Sequence, residues 1–344
     1  MTTKSFLFAA FGALAMLSHP AQRVLAQPAA ATLIPHPAWD CGMPSGIPAP
    51  ESGSLVFEIS IPLERTAAIG RTQYGQRRVA VGHSGSVEGE RLTATVMEGA
   101  LDFELTLANG TIEIEQILVL RAADGSYILA RNAGTGAGAD DVRIVMDFEA
   151  PNASAHAWLN TGRYVARREL DASARMLTLS IYDVSDVTIV AANAVRIAKP
   201  EGVRAQPWDY RQKGAGEMQG EMLIQENVTL APSQSVGASK RGNRNIIPIT
   251  GGELSGRITG RVLMGGADYQ NLGQPATIDA RYLWQAADGE IIIVRNGGSF
   301  GSLVPSFEAR IDGPYAFLND GRYLSSNPAV GQGGVALTFY ASTN

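Results

Sequence analysis

The chain has almost no cysteine: Cys41 is the only one in 344 residues, so no intramolecular disulfide can form. Histidine is nearly as scarce. Two of the four, His19 and His36, fall near the N terminus, which leaves no readable His-rich metal site. His83 and His156 have no partner visible in the sequence and read as structural or solvent-facing. No Gly-x-Ser-x-Gly elbow and no Cys/His pair in a catalytic setting is present. Gly134-x-Gly136-x-Gly138 opens no helical pattern, so it reads as a loop rather than a dinucleotide fingerprint. These absences argue against redox cofactors and covalent hydrolase chemistry, and the expected complement is no cofactor and no metal. Long runs of one charge are missing as well. With a formal net charge of −5, the chain offers no electrostatic footprint for nucleic acid or an anionic membrane surface.

Long apolar runs are absent except for one, from Phe6 to Leu17, preceded by Lys4 and followed by Val24-Leu25-Ala26 before Gln27. This pattern reads as a secretory signal over residues 1–26, which predicts a secreted or periplasmic protein beginning near Gln27. The run is shorter than the ~20 residues that span a bilayer, and no later segment could span one. Sequons at Asn109, Asn152 and Asn227 matter only in a host that glycosylates them.

What the sequence does have is an internal repeat. Leu63 and Leu230, Gly70 and Gly237, Thr72 and Ser239, Gly75 and Gly242, Arg77 and Arg244, Gly85 and Gly252, and Gly89 and Gly256 all share a spacing of 167 residues. Further on, Ala122-Ala123-Asp124-Gly125 answers Ala286-Ala287-Asp288-Gly289, Arg131-Asn132 answers Arg295-Asn296, and Leu159-Asn160-Thr161-Gly162-Arg163-Tyr164 answers Leu318-Asn319-Asp320-Gly321-Arg322-Tyr323. The unit is domain-sized rather than a solenoid repeat of about 20–50 residues. Two related domains in tandem are therefore expected.

Residues 27–53 are rich in Pro, Ala and Gly and read as an extended lead-in. The first domain is predicted over 54–186, with strands at Leu55–Ile61, Leu92–Met97, Thr111–Leu120, Tyr127–Ala130 and Leu177–Tyr182. Residues 187–220, with Pro200, Pro207, Gly214 and Gly216, have no counterpart in either copy and read as a linker or clasp. The second domain is predicted over 221–344, with strands at Met222–Leu230, Asn245–Ile249, Arg257–Met264, Thr277–Gln285, Glu290–Asn296 and Val335–Tyr340. Short strands rich in β-branched and aromatic residues, separated by turn signals and without helical periodicity, predict an all-β protein of two antiparallel barrels. Closure is favoured because it removes exposed edges.

Four ordered motifs in the second copy give this expectation a family. Arg244-Asn245-Ile246-Ile247-Pro248-Ile249-Thr250-Gly251-Gly252, Gly265-Gly266-Ala267-Asp268-Tyr269-Gln270, Asp279-Ala280-Arg281-Tyr282 and Val294-Arg295-Asn296 resemble the domain-of-unknown-function 3237 family. The resemblance implies a calycin-like, lipocalin-like barrel. The first copy looks like a diverged member: Gly70-x-Thr72-x-x-Gly75-x-Arg77, Gly99-Ala100-Leu101-Asp102-Phe103 and Arg131-Asn132 follow the pattern. Val81-Gly82-His83-Ser84 and Ile117 depart from it, the latter standing where the second copy has Arg281. The family name assigns no activity.

Asp288-Gly289 between two apolar strands predicts a two-residue type I′ hairpin. Counting back from that turn pairs Tyr282 with Arg295 and Arg281 with Asn296. One face would then carry Asp279, Arg281 and Asn296, and the other Tyr282, Trp284, Ile293 and Arg295. Whichever face points inward puts an arginine inside a barrel that has room for side chains or one small ligand. Such an arginine needs a partner, which Asp279 could be for Arg281 and Asp268 or a bound anion for Arg295. The alternative is that the arginines only tie strands together.

Asp268 follows a Gly-Gly pair that could bend the backbone and aim the acid into the barrel mouth, where a raised pKa would suit acid–base work; the alternative is a turn-stabilising aspartate. The candidate catalytic set is Asp268, Asp279, Arg281 and Arg295. The candidate ligand-binding set is Tyr269, Gln270, Tyr282, Trp284, Asn296 and Asn319. Together they suggest a cofactor-independent isomerase, cyclase or lyase acting on a small aromatic or polyketide-like organic ligand. In that scheme an aspartate moves a proton, an arginine stabilises oxyanion charge and the aromatics pack the ligand. The competing readings are a non-catalytic extracytoplasmic carrier or sensor, and an interaction module with solid barrels. A homodimer is also considered. The second copy alone keeps Asp279 together with Arg281, which places the expected site there.

Overall fold

A computed structural model of the chain describes residues 46–190, 194–195, 211–331 and 333–343. The proposed signal sequence, Cys41, His19 and His36 lie outside these residues. The described chain is all-β, with only single turns of 3-10 helix. No described helix is long and apolar enough to cross a membrane.

The first copy forms a closed antiparallel barrel of eight strands. The hydrogen-bonded circuit runs through Ser54–Arg71, Gln76–Gly82, Leu101–Thr106, Ile112–Ala122, Tyr127–Gly136, Arg143–Met146, Tyr164–Asp171 and Met176–Asp183, and returns to Ser54–Arg71. Gly85–Glu88 and Ala94–Val96 lengthen the second and third staves. The second copy repeats the order with Met218–Leu230, Gln234–Ser239, Gly242–Gly256, Gly260–Val262, Ala267–Asn271, Thr277–Ala286, Ile291–Ser299, Val304–Glu308, Tyr323–Ser325 and Gly334–Thr343. Between Val304–Glu308 and Tyr323–Ser325 the sheet is bridged by Ser325 N–H, which donates to the Leu303 carbonyl at 3.1 Å. Lead-in and linker also meet, Ile47–Pro48 pairing with Ala194–Val195.

Every expected strand segment overlaps an observed strand, but several strands escaped the sequence reading. Gln76–Gly82 is the instructive case. Its opening Gln-Arg-Arg looks solvent-facing, yet Arg77 is buried and its guanidinium reaches Glu308 of the other barrel at 2.8 Å. The polar pattern reflects an interface, not water.

The hairpin turn corrects the expected register. Gly289 N–H donates to the Ala286 carbonyl and Ala286 N–H to the Glu290 carbonyl, both at 2.9 Å, and Gly289 has φ +95°. The loop therefore holds three residues, with a left-handed glycine last, rather than two. The extra residue shifts the pairing by one, to Arg281 opposite Arg295, Tyr282 opposite Val294 and Ala280 opposite Asn296. Because side chains alternate with period two, Arg295 and Asn296 both exchange faces relative to the expectation. The three ionic candidates of this hairpin, Asp279, Arg281 and Arg295, share the outer face, and neither face of the hairpin combines an arginine with Tyr282.

That outer face is the contact between barrels. Reciprocal ion pairs cross it: Arg77 meets Glu308 and Arg244 meets Glu149, each at 2.8 Å. Thr72 Oγ1 donates to Glu308 (3.3 Å) and its counterpart Ser239 Oγ to Glu149 (2.6 Å). Nearer the centre, Arg131 meets Asp279 at 3.1 Å and Arg295 meets Glu115. Each of these contacts has its image in the other copy, so the barrels are related by a local two-fold axis. Two apolar clusters repeat the relation: Ile69, Val79 and Phe103 with Leu283 and Ile293 on one side, and Val236, Ile246 and Tyr269 with Val119 and Leu129 on the other. The Asn152 amide is also engaged here, donating to the Ser239 carbonyl at 3.0 Å.

Candidate functional site

The interior of the second barrel carries a buried carboxyl that sequence reasoning missed. On Met218–Leu230, side chains 224, 226 and 228 point inward, and the middle one is Glu226, 1% exposed. Tyr282 Oη donates to Glu226 Oε1 at 2.6 Å and Trp284 Nε1 donates to Oε2 at 2.8 Å. Both donors come from Thr277–Ala286, whose inward positions are Ile278, Ala280, Tyr282 and Trp284. Below them Trp284, Phe307, Phe339 and Tyr323 pack together with centroids 5.2–5.7 Å apart, Trp284 tilted on Phe307 and the other pairs edge to face, and close that end with apolar mass.

Asp268 lines the same cavity as Glu226, together with Tyr282, Asn296 and the apolar Ile249, Leu303 and Leu337. Its strand begins after Gly265 and Gly266, with φ +120° and +76°, and the glycines do permit the turn that aims the acid inward. A Cβ on Gly266 would stand 1.8 Å from the Arg281 carbonyl oxygen, so only glycine fits. Burial pushes the Asp268 carboxyl up to about 6. Burial also pushes Glu226 up to about 7, against the opposing effect of the Tyr282 and Trp284 hydrogen bonds and with a smaller contribution from the Asp268 charge. Asn296 donates through Nδ2 to Ser325 Oγ at 3.0 Å, while its buried Oδ1 has no hydrogen-bond partner. The cavity measures about 10 Å³, about the minimum for one water.

The first barrel lacks this constellation, position by position. At the repeat spacing, Ile59 stands for Glu226, Leu118 for Tyr282 and Leu120 for Trp284. Asp102 does correspond to Asp268, but Arg168 neutralises it with two hydrogen bonds of 2.9 and 2.6 Å, and Gln116 adds a third of 2.6 Å. In the second barrel Asn327 occupies the place of Arg168, with its Oδ1 accepting from Gly301 N–H at 2.6 Å. An acid–arginine lock in one barrel is thus an acid without that cation in the other.

The remaining sequence candidates lie elsewhere. Asp279 does partner Arg281, with bonds of 2.8 and 2.9 Å, but the pair sits between the barrels. There Arg281 and Arg295 also bind Glu115. Burial pushes Glu115 up, whereas Arg281 and Arg131 outweigh burial at Asp279 and hold it low. This centre joins the barrels and does not face the cavity. Tyr269 belongs to the same contact. Gln270 is half-buried and accepts from Asn245 Nδ2 at 2.8 Å. Asn319 is a backbone clasp: its amide donates to the Ala309 carbonyl (2.9 Å) and accepts from Ala309 N–H (2.8 Å), with φ −73° rather than the positive φ of a turn asparagine. His83 and His156 do have acidic neighbours, Glu98 at 3.5 Å and Asp124 at 3.2 Å. Among the described residues no cluster of His, Cys, Asp and Glu could hold a metal.

Of the acid–base set, Glu226 was the one readable signal left unread: an acid in an otherwise alternating apolar strand, opposite Ile59 in the repeat. Tyr282 and Trp284 were expected as ligand-packing groups on a face whose direction the sequence left open, not as donors to that acid.

Comparison with known proteins adds the following. The model of a family described as "Protein of unknown function (DUF3237)" matches residues 52–187 and 218–302. A UPF0311 protein of Bradyrhizobium diazoefficiens is 46% identical over 66 residues, 19% of this chain. The chain thus spans 43% of the length of that relative. Among solved structures, a β-barrel-like protein from Acinetobacter baumannii is similar at 19% identity and TM-score 0.34, covering 38% of this chain and 94% of its own. An enzyme from Penicillium herquei is similar at 18% identity and TM-score 0.30, covering 37% of this chain and 92% of its own.

Proposed function

Since the chain belongs to the DUF3237 family, whose description assigns no activity, we propose its function from its own residues. The second barrel is a cofactor-independent proton-transfer site that acts by isomerisation, cyclisation or elimination on a small organic molecule, aromatic or polyketide-like, for which the one-water cavity beside Asp268 must widen on binding. One observation carries this reading: two carboxyls, Glu226 and Asp268, share a cavity from which the arginine found in the sister barrel is missing. A carboxyl that titrates near neutrality can take a proton from carbon or oxygen and return it elsewhere, which a locked carboxylate cannot. Asp268 is the group that moves the proton. Glu226, held by Tyr282 and Trp284, sets the charge beside it, and Asn296 Oδ1 accepts from a substrate hydroxyl. The arginines between the barrels take no part in this scheme.

The test begins with the ligand. Protein purified from its own host is analysed by native mass spectrometry, and the released compound is incubated with wild type, Asp268→Asn and Glu226→Gln. Loss of turnover by at least about 100-fold in Asp268→Asn, with binding retained, supports the reading. Undiminished turnover in both variants sinks it, and a compound that wild type returns unchanged sinks it in favour of the carrier or sensor alternative. If residues 1–26 are a cleaved leader, as the sequence suggests, this activity belongs in the periplasm or outside the cell; an N terminus near Gln27 on the host-purified protein is the outcome that reading requires.

A further inference from the structure

One cavity belongs to neither barrel. A cleft of about 500 Å³ opens between them, walled by Met97 and Tyr127 of the first and by Pro248, Ile249 and Met264 of the second. We propose that this cleft is a binding site for a small apolar organic molecule bearing a hydroxyl or amide N–H. Its volume lies within the range of about 300–1,000 Å³ typical of ligand pockets, and its lining sets the apolar Met97, Tyr127, Ile249 and Met264 among polar side chains that include Glu98 and Arg121.

The polar group that matters is Gln234. It lines the cleft, is 8% exposed, and its Oε1 has no hydrogen-bond partner. A buried amide oxygen left unsatisfied is penalised, and a donor on a bound molecule would remove the penalty once the amide turns its oxygen toward the cleft. The local two-fold makes the point sharper, because the corresponding residue in the first copy is Ala67, packed against the apolar cluster on the opposite side of the interface. Tyr127 likewise corresponds to Ile291, whereas Met264 and its counterpart Glu98 both line the cleft. In the first copy a single strand, Ser54–Arg71, runs past the corresponding place without a break. In the second copy the strand stops at Leu230 and resumes at Gln234; the gap contains Pro232, which has no N–H for a ladder. The interruption, the glutamine and Tyr127 occur together on one side of a pseudo-symmetric contact. Ile249 lines both this cleft and the acid cavity, so a molecule held here would lie one side chain away from Asp268. The binding inference stands on the cleft alone and does not require that the acids act.

The experiment uses the full chain and two probes of similar shape, 2-naphthol and 2-methoxynaphthalene, titrated by calorimetry. Wild type binds 2-naphthol more tightly than its methyl ether by about 3–10-fold, the value of one neutral hydrogen bond. Gln234→Ala, which installs the residue of the sister position, brings the two affinities together. Met264→Trp fills the cleft and lowers 2-naphthol affinity by at least 10-fold. Thr250→Trp, at an exposed lining position, does the same if the methionine variant is poorly folded. The titration reads binding and not turnover, so failure of the proton-transfer reading registers separately. No binding of 2-naphthol by wild type up to its solubility overturns the proposal, as does binding that both tryptophan variants leave intact.

Discussion

Glu226 is a charge-bearing group enclosed by apolar side chains, and its consequences can be read as a function of pH. Its folded pKa of about 7 lies above the ordinary 4.5, so the folded protein holds a proton there that the unfolded chain releases. The contribution is fully present below pH 4.5 and is lost as pH rises through 7. Wild type is therefore expected to lose about 3 kcal/mol of stability relative to Glu226→Gln between pH 4 and pH 8, measured by urea unfolding of both proteins across that range. A pH-independent difference would mean that Glu226 is not held neutral. The sister barrel predicts the opposite kind of sensitivity. Removing Arg168 by Arg168→Met strands Asp102 without its bidentate partner, and unfolding free energy should fall by about 3–5 kcal/mol. Asp268→Asn removes a desolvated acid with no arginine lock and should cost little or stabilise at pH 8. At this scale the sequence was legible where a residue type is unusual in its place, as with Asp268 behind two glycines. It was misleading for Arg281 and Arg295, because an arginine on a half-apolar strand faces a partner domain as readily as a barrel interior.

One residue in a turn decides which side chains share a face, and the hairpin at Ala286–Glu290 shows how much follows from it. Asp-Gly is compatible with a two-residue turn and with a three-residue turn ending in a left-handed glycine; the sequence does not choose between them. The first copy makes the same choice, with Gly125 N–H donating to the Ala122 carbonyl at 2.9 Å and φ +87°. Strand positions were legible because alternation is local, whereas register depends on this choice and on bulges such as the one between Thr229 and Leu230. Two glycine substitutions separate conformational strain from close approach. Nothing lies within 4 Å of a Cβ on Gly289, so Gly289→Ala meets only the strain of positive φ and should cost about 1 kcal/mol. Gly266→Ala places a carbon against the Arg281 carbonyl oxygen and also disturbs the Gly266 N–H bond to the Gly99 carbonyl of the other barrel, 2.9 Å long. Its melting temperature should fall several times further than that of Gly289→Ala; equal losses would show that the glycine pair does not govern the contact.

At the scale of the whole molecule, the repeat matters less as a doubling of barrels than as a reciprocal contact. The residues that first revealed it, Thr72 and Ser239 with Arg77 and Arg244, are those that reach across to Glu308 and Glu149. The glutamates correspond to one another but sit among sequence too diverged to stand out, so the repeat was legible from one side of each ion pair only. Burial of Arg77 and Glu308, with side chains 1% and 6% exposed, makes their worth depend on being paired rather than on being charged. Glu308→Gln alone leaves the Arg77 guanidinium without its carboxylate and should lower stability by about 3–5 kcal/mol, whereas Arg77→Met combined with Glu308→Leu should restore most of it. The second outcome is the diagnostic one, since a contact held by charge itself would lose as much in the double variant as in the single. Calorimetry adds the domain-level reading. With ion pairs and two apolar clusters joining the barrels, wild type should unfold in one cooperative transition. Glu308→Gln should split that transition in two, with the second barrel, whose seam rests on fewer ladder bonds, melting first. A wild-type profile already resolved into two independent transitions would show that the reciprocal pairs orient the barrels without coupling their stability.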